Sequence, residues 1–326
     1  MKKICKLALA SIVLVISAAP VYATATINYE LVTVTNPNNI NDKTGFGAVD
    51  HVYQIGKYEV TIGQYTTFLN AIAHESDPYM LWNKSMMSAN VQGINRTGSA
   101  GNYSYSVMQA STTGTSSESM PITGVSWFSA ARFANWMANG QPAGAEDSTT
   151  TENGAYNLNG TLSGTAVAKN ALNPNTGAAP TFYIPSENEW YKAAYYNGAG
   201  AYYSYATQSN TLPGNNVNST SSNQSNYLDD AGGGYCVSQS PALSLTQTYL
   251  TNVGAFANSA SHYGTFDQTG NVWEWNDLDG KSSKLRGLKG AAWTSTPPYL
   301  QSSYRLITVP ASISVNVGMR LAHTYP

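Results

Sequence analysis

Thirteen residues, Tyr263-Gly-Thr-Phe-Asp-Gln-Thr-Gly-Asn-Val-Trp-Glu-Trp275, constrain this chain more than any other stretch. Four large aromatics, two glycines, two carboxylates and an asparagine crowd together in a chain that is only 10% charged. Asp267-Gln-Thr-Gly270 has the composition of a turn, because Asp and Gly tolerate the backbone angles that turns need. The residues after it then form a buried strand whose tryptophans fill the core. A second reading adds a cation: Asp267 and Glu274 bracket the glycine, and carbonyls between them would complete a shell of hard oxygens suited to calcium.

The N-terminus sets the compartment. Met1-Lys-Lys-Ile-Cys-Lys6 is basic, and Leu7 to Ala19 is an apolar run too short to span a bilayer. Val21-Tyr-Ala23 and Ala23-Thr-Ala25 offer small-x-small cleavage sites, so residues 1–25 read as a secretory signal peptide. The expected product is residues 26–326, secreted or periplasmic, with no membrane span. Once Cys5 leaves with the signal, Cys236 is the only remaining thiol, and no internal disulfide can form. Such a cysteine reads as a small apolar core filler. A net charge of −2 without a basic block argues against nucleic acid as a partner.

Three helices are legible between long polar stretches. Thr61 with Gln64 is a capping box for a helix over 61–73, whose Ile62, Tyr65, Leu69 and Ile72 share one face. Ser126 caps a second, Trp127 to Asn139, apolar on two sides and therefore buried on both. Ser186 with Glu189 caps a third, which Gly198 ends. Tyr29 to Thr35 and Gly47 to Ile55 read as strands, as do short pieces at 285–293, 304–306 and 317–322. The stretches 76–120, 141–180 and 199–260 are loop-rich.

Seven segments then appear in a recognisable order: Tyr58-Glu-Val-Thr with its helix, Met120-Pro-Ile-Thr-Gly-Val-Ser-Trp, Tyr183-Ile-Pro-Ser-Glu-Asn-Glu-Trp, Gly270-Asn-Val-Trp-Glu-Trp, Arg286-Gly-Leu-Lys-Gly-Ala-Ala-Trp, Tyr304-Arg, and Val317-Gly-Met-Arg-Leu-Ala. In that order they resemble the formylglycine-generating enzyme, or sulfatase-modifying factor, family over about residues 50–322. The resemblance implies one α+β, loop-rich domain of the formylglycine-generating-enzyme type of C-type-lectin-like fold.

It also implies a chemistry that the residues do not repeat. The family's enzymes oxidise a target cysteine with oxygen and a copper ion held by two thiolates, soft ligands suited to Cu(I). The aligned positions here are Ser295 and Leu300. No copper is expected, and no catalytic residue is assigned. His51, His74, His262 and His323 are spread through the chain and make no metal cluster. Asp229-Asp230 and Asp277-x-Asp279 read as loop carboxylates. Trp275-Asn-Asp277 repeats a triplet of sugar-binding C-type lectins without their cysteines and reads as a coincidence.

By resemblance, a structural calcium would take the Asp267 side chain, the Gly270 and Val272 carbonyls and the Glu274 side chain. A second would begin near Asn226 and Tyr227. The old active-site groove would be lined by Trp293, Ser295, Tyr299, Tyr304 and Arg305. The expected function is non-catalytic binding of a protein or small molecule outside the cytoplasm, with loops 76–120, 141–180 and 294–316 as the recognition surface. The alternative is a formylglycine-generating oxidase, or another activity in the same pocket.

Overall fold

Side chains that satisfy the orphan N–H groups of a helix start mark where all three helices begin. The computed structural model describes residues 26–326 except 112, 113 and 115, so the segment read as a signal peptide lies outside the described residues. Thr61 Oγ1 accepts from Gln64 N at 3.2 Å while Gln64 Oε1 accepts from Thr61 N at 3.0 Å, and helix α1 runs Ile62–Ile72. Ser186 and Glu189 close the same box over helix α3, Glu187–Tyr195. Between them lies α2, Trp127–Ala138, capped by Ser126 and buried at all twelve positions.

The strands are short. In chain order they are β1 (Leu31–Val34), β2 (Tyr53–Gly56), β3 (Ile94–Thr97), β4 (Ser104–Val107), β5 (Phe182–Tyr183), β6 (Leu228–Asp229), β7 (Gly234–Tyr235), β8 (Trp273–Asn276), β9 (Arg286–Lys289), β10 (Leu306–Thr308), β11 (Val317–Gly318) and β12 (Ala322–Thr324). One sheet has the order β1-β2-β12-β5, all antiparallel, with Ala322 opposite both Ile55 and Tyr183. The other has the order β10-β9-β8-β11, and only β11 runs parallel to its neighbour. β3–β4 and β6–β7 are separate hairpins. The whole is an α+β arrangement in which loops make up much of the chain.

α1 packs on α2 through aromatic rings. Phe68 lies 5.2 Å from Phe133 and 5.1 Å from Trp136, centroid to centroid, within the preferred range for such pairs. The polar loop after α2 stays ordered by bonding to that helix's buried polar side chains. Asn135 donates to the Thr151 and Tyr156 carbonyls, and Arg132 forms a forked pair with Glu152 at 2.6 and 2.9 Å. These bonds satisfy most of the buried polar groups here, as burial demands, although Arg132 Nη1 and Asn153 Oδ1 have no partner among the described residues.

Several boundaries differ from the sequence expectation: the strand read at 29–35 is Leu31–Val34, that at 285–293 is Arg286–Lys289, that at 304–306 moves to Leu306–Thr308, and that at 317–322 splits into Val317–Gly318 and Ala322–Thr324. The strand expected over 47–55 begins only at Tyr53. Asparagine side chains take the earlier backbone instead: Gly47 N donates to Asn188 Oδ1, Ala48 N to Asn41 Oδ1 and Val49 N to Asn39 Oδ1. These side-chain bonds take backbone donors that a ladder would need. The third helix stops at Tyr195 rather than at Gly198, because Tyr196 turns extended and bridges to Tyr202.

Candidate functional site

The loop leading into β8 is a left-handed turn, with φ of 62° at Asp267, 90° at Gly270 and 63° at Asn271. Gly270 is required twice over. Its φ disfavours any side chain, and a Cβ there would run into the Asn226 carbonyl and Ser225 Oγ. The turn delivers Glu274 into the core, fully buried. There Glu274 Oε2 accepts from Arg320 Nε at 2.6 Å and from Trp190 Nε1 at 2.7 Å, and Oε1 accepts from Arg320 Nη2 at 2.7 Å. Arg320 also donates to the Gly56 and Phe266 carbonyls at 3.0 and 2.7 Å, so one guanidinium joins both sheets and the turn.

This arrangement bears on the calcium expectation. Asp267 is present, with Oδ2 accepting from Gly254 N at 2.6 Å, and burial pushes its carboxyl up to about 6. Glu274, however, is engaged by a guanidinium that would repel a divalent ion at the same oxygens. As arranged, the set Asp267, Gly270, Val272 and Glu274 does not fit calcium. Nearby, burial raises the Glu59 carboxyl well above its usual range, and its Oε2 lies 3.8 Å from Arg320 Nη2. The second expected site is brought against the first. Asn226 donates through Nδ2 to Asn271 Oδ1 and accepts from Asn271 N, while Tyr227 donates to the Pro213 carbonyl. Among the described residues no three His, Cys, Asp or Glu side chains are grouped to hold a metal.

The positions aligned with the copper ligands are interior. Ser295 Oγ accepts from Ala292 N at 3.0 Å, and Leu300 is fully buried in a short 3-10 turn, Pro297–Leu300. Cys236 is buried too, and burial pushes its thiol up to about 12, which keeps it neutral. None of the three offers a thiolate, so these residues do not fit Cu(I).

The expected groove divides in two. Trp293 is buried and stacks on Tyr249, 5.0 Å apart at 9°. Tyr299 meets Tyr304 edge-on at 4.7 Å on the other side, next to Arg305. Arg305 points to a cleft that sequence reasoning missed. It forms a forked pair with Glu187, Nε to Oε1 at 2.8 Å and Nη2 to Oε2 at 2.6 Å, and lies 5.0 Å from the centre of the Phe46 ring. With the 278–283 loop these residues line a cleft of about 510 Å³, within the usual size range of small-molecule sites. Beneath Phe46, fully buried Lys289 donates to the Ser302 and Tyr304 carbonyls and fixes the segment that carries Arg305 into β10. Burial lowers its ammonium to about 8. The one local signal was the capping box, which fixes Glu187 as the first residue of α3.

The remaining singled-out residues are structural. His51 bonds Asp50 and Glu189, at 2.7 and 3.1 Å, and the Glu189 bond raises its pKa most, with Asp50 adding to it. His323 packs edge-on against Phe182. Asp229 accepts from Ala231 N and Gly233 N in a turn. In the Trp-Asn-Asp triplet, Asp277 is buried 2.7 Å from Arg286 Nε and accepts from Tyr156, so it cannot face a sugar.

A family model described as the sulfatase-modifying factor enzyme 1-like domain matches residues 42–325. The crystal structure of CarF is similar at 17% identity and a TM-score of 0.51, covering 92% of this chain and all (100%) of that one. Treponema denticola variable protein 1 is similar at 15% identity and TM-score 0.49, covering 93% and 98%. PvdO from Pseudomonas aeruginosa is similar at 16% identity and TM-score 0.43, covering 91% and 92%. No curated protein matches the chain. The likeness to CarF extends over nearly the whole chain and shows the fold.

Proposed function

This chain belongs to the sulfatase-modifying factor enzyme 1-like family, and from that premise we propose that it is a non-catalytic binding protein acting outside the cytoplasm. One observation carries the proposal: at the positions aligned with the copper thiolates stand a buried serine bonded to its own turn and a buried leucine. Cu(I) held by two sulfurs has no counterpart there. Cys236, the only cysteine among the described residues, is a neutral buried thiol.

The shape of the surface supports a recognition role instead. The core ion pair of Glu274 with Arg320 holds the sheets, while the 42–47 loop, the start of α3, the 278–283 loop and Arg305 shape an open cleft. The leader read at 1–25 supports export. No helix among the described residues is long and apolar enough to cross a membrane. The partner is a protein or small molecule rather than nucleic acid, a reading supported by a net charge of −2 and a sequence without a basic block.

The test is chemical. Purified protein is incubated with copper, oxygen and a cysteine-containing sulfatase-motif peptide, and the product is read by mass spectrometry. Unmodified peptide is expected. Formylglycine above the no-enzyme background would overturn the non-catalytic reading and favour the oxidase.

A further inference from the structure

The 510 Å³ cleft has an unusual charge arrangement. Arg305 and Glu187 neutralise each other through two short bonds, and Lys281 Nζ lies 3.1 Å from Asp279. The four charged side chains of the lining are therefore already paired. The Lys281–Asp279 pair is exposed and weak, but a ligand with net charge that binds at Arg305 must compete with its Glu187 pair. Displacing Arg305 would leave Glu187, whose side chain is 5% exposed, as a buried charge without its partner, which is costly. The cleft favours an uncharged guest.

Its free hydrogen-bonding capacity is nonetheless rich and directional. Among the described residues Arg305 Nη1 has no hydrogen-bond partner, and the side chain is 32% exposed. Ser282 Oγ donates to the Ala166 carbonyl and so keeps its lone pairs as acceptors. Ser283 Oγ accepts from Leu285 N and so keeps its proton as a donor. Phe46 and Leu278 add the apolar part of the lining. Planar guanidinium and carboxylate groups, hydroxyls set as donor and acceptor, and a small apolar wall match a guest with adjacent hydroxyls and C–H faces.

We propose that this cleft binds a neutral saccharide, with Arg305 as the central donor. The site is separate from the buried Asn276-Asp277 and from the positions of the missing thiolates. The inference rests on the non-catalytic reading only in that the cleft is used for binding rather than for presenting a peptide to an oxidant.

The experiment probes immobilised oligosaccharides in three groups: neutral, sulfated or uronic, and amino-sugar. Free amino acids are offered as soluble competitors. Neutral glycans are expected to retain the protein, and free amino acids to leave that retention unchanged. Arg305→Ala should weaken retention roughly tenfold, the scale of losing a hydrogen bond to a charged group. Since Arg305 is partly buried, Ser282→Trp provides a second variant. Ser282 is exposed on its loop, so the indole fills the cleft without touching the core. This variant should melt with the wild type and lose retention. No retention on any glycan, retention only by charged glycans, displacement by amino acids, or full retention by Ser282→Trp would each overturn the proposal. The peptide assay separates the two readings, because formylglycine formation would sink the non-catalytic reading and leave the glycan result standing.

Discussion

At the scale of single residues, burial decides which carboxylates are charged. Glu274 is buried but held by Arg320 and Trp190, so its interactions are complete. Glu146 is also buried, yet it forms no ion pair among the described residues, and burial together with nearby Asp77 pushes its carboxyl up to about 9. A carboxyl whose folded pKa exceeds its unfolded value near 4.5 binds its proton more tightly when folded. Its contribution to stability is complete below that lower value and is lost as pH climbs toward about 9. Glu146→Gln, which keeps the shape without the proton, should flatten the fall in stability across that window. Urea unfolding of both proteins at several pH values measures it, and parallel curves would show that Glu146 is ionised in the native state. The same contrast explains a limit of sequence reading. Spacing alone marks Glu274 as an oxygen donor beside a turn, and nothing within its own segment discloses that Arg320, forty-six residues later, has taken both oxygens.

At the scale of elements, what was legible was what is local. Both capping boxes, the two-sided burial of α2 and the turn at Asp267–Gly270 stand as read, because each rests on residues within one or two turns of chain. Strand limits were less legible, since asparagines from elsewhere replaced the ladder before Tyr53. The two boxes also differ in consequence. Thr61→Ala should cost about 1 kcal/mol, an ordinary cap loss. Glu189→Ala should cost clearly more, because that carboxylate also accepts from Tyr183 at 2.8 Å and meets His51 at 3.1 Å, besides bonding Ser186. Denaturant midpoints of the two variants compare them, and equal losses would mean that the extra bonds to Glu189 contribute nothing.

At the scale of the molecule, the candidate cleft was illegible because its walls come from positions 46, 187, 279 and 305, which only the folded chain brings together. The family resemblance placed the fold and named Trp293, Ser295, Tyr299, Tyr304 and Arg305 as one groove; Trp293 and Ser295 are interior, and of the five only Arg305 lines this cleft. The calcium expectation has a global readout. With Glu274 engaged by Arg320, a chelator should leave the thermal midpoint unchanged, since only a ligand of the native state raises stability. A midpoint that falls on chelation and recovers with calcium would show that Arg320 yields Glu274 to the ion. One further consequence comes from β12, which lies between β2 and β5 in the first sheet. A ribosome making this chain releases β2 and β5 long before residues 322–324 emerge. The two earlier strands must wait apart, with their inner edges open, until translation reaches the last strand. Because such distant pairings close slowly, a holdase that shields strand edges should raise the yield of folded protein more than one that speeds helix formation.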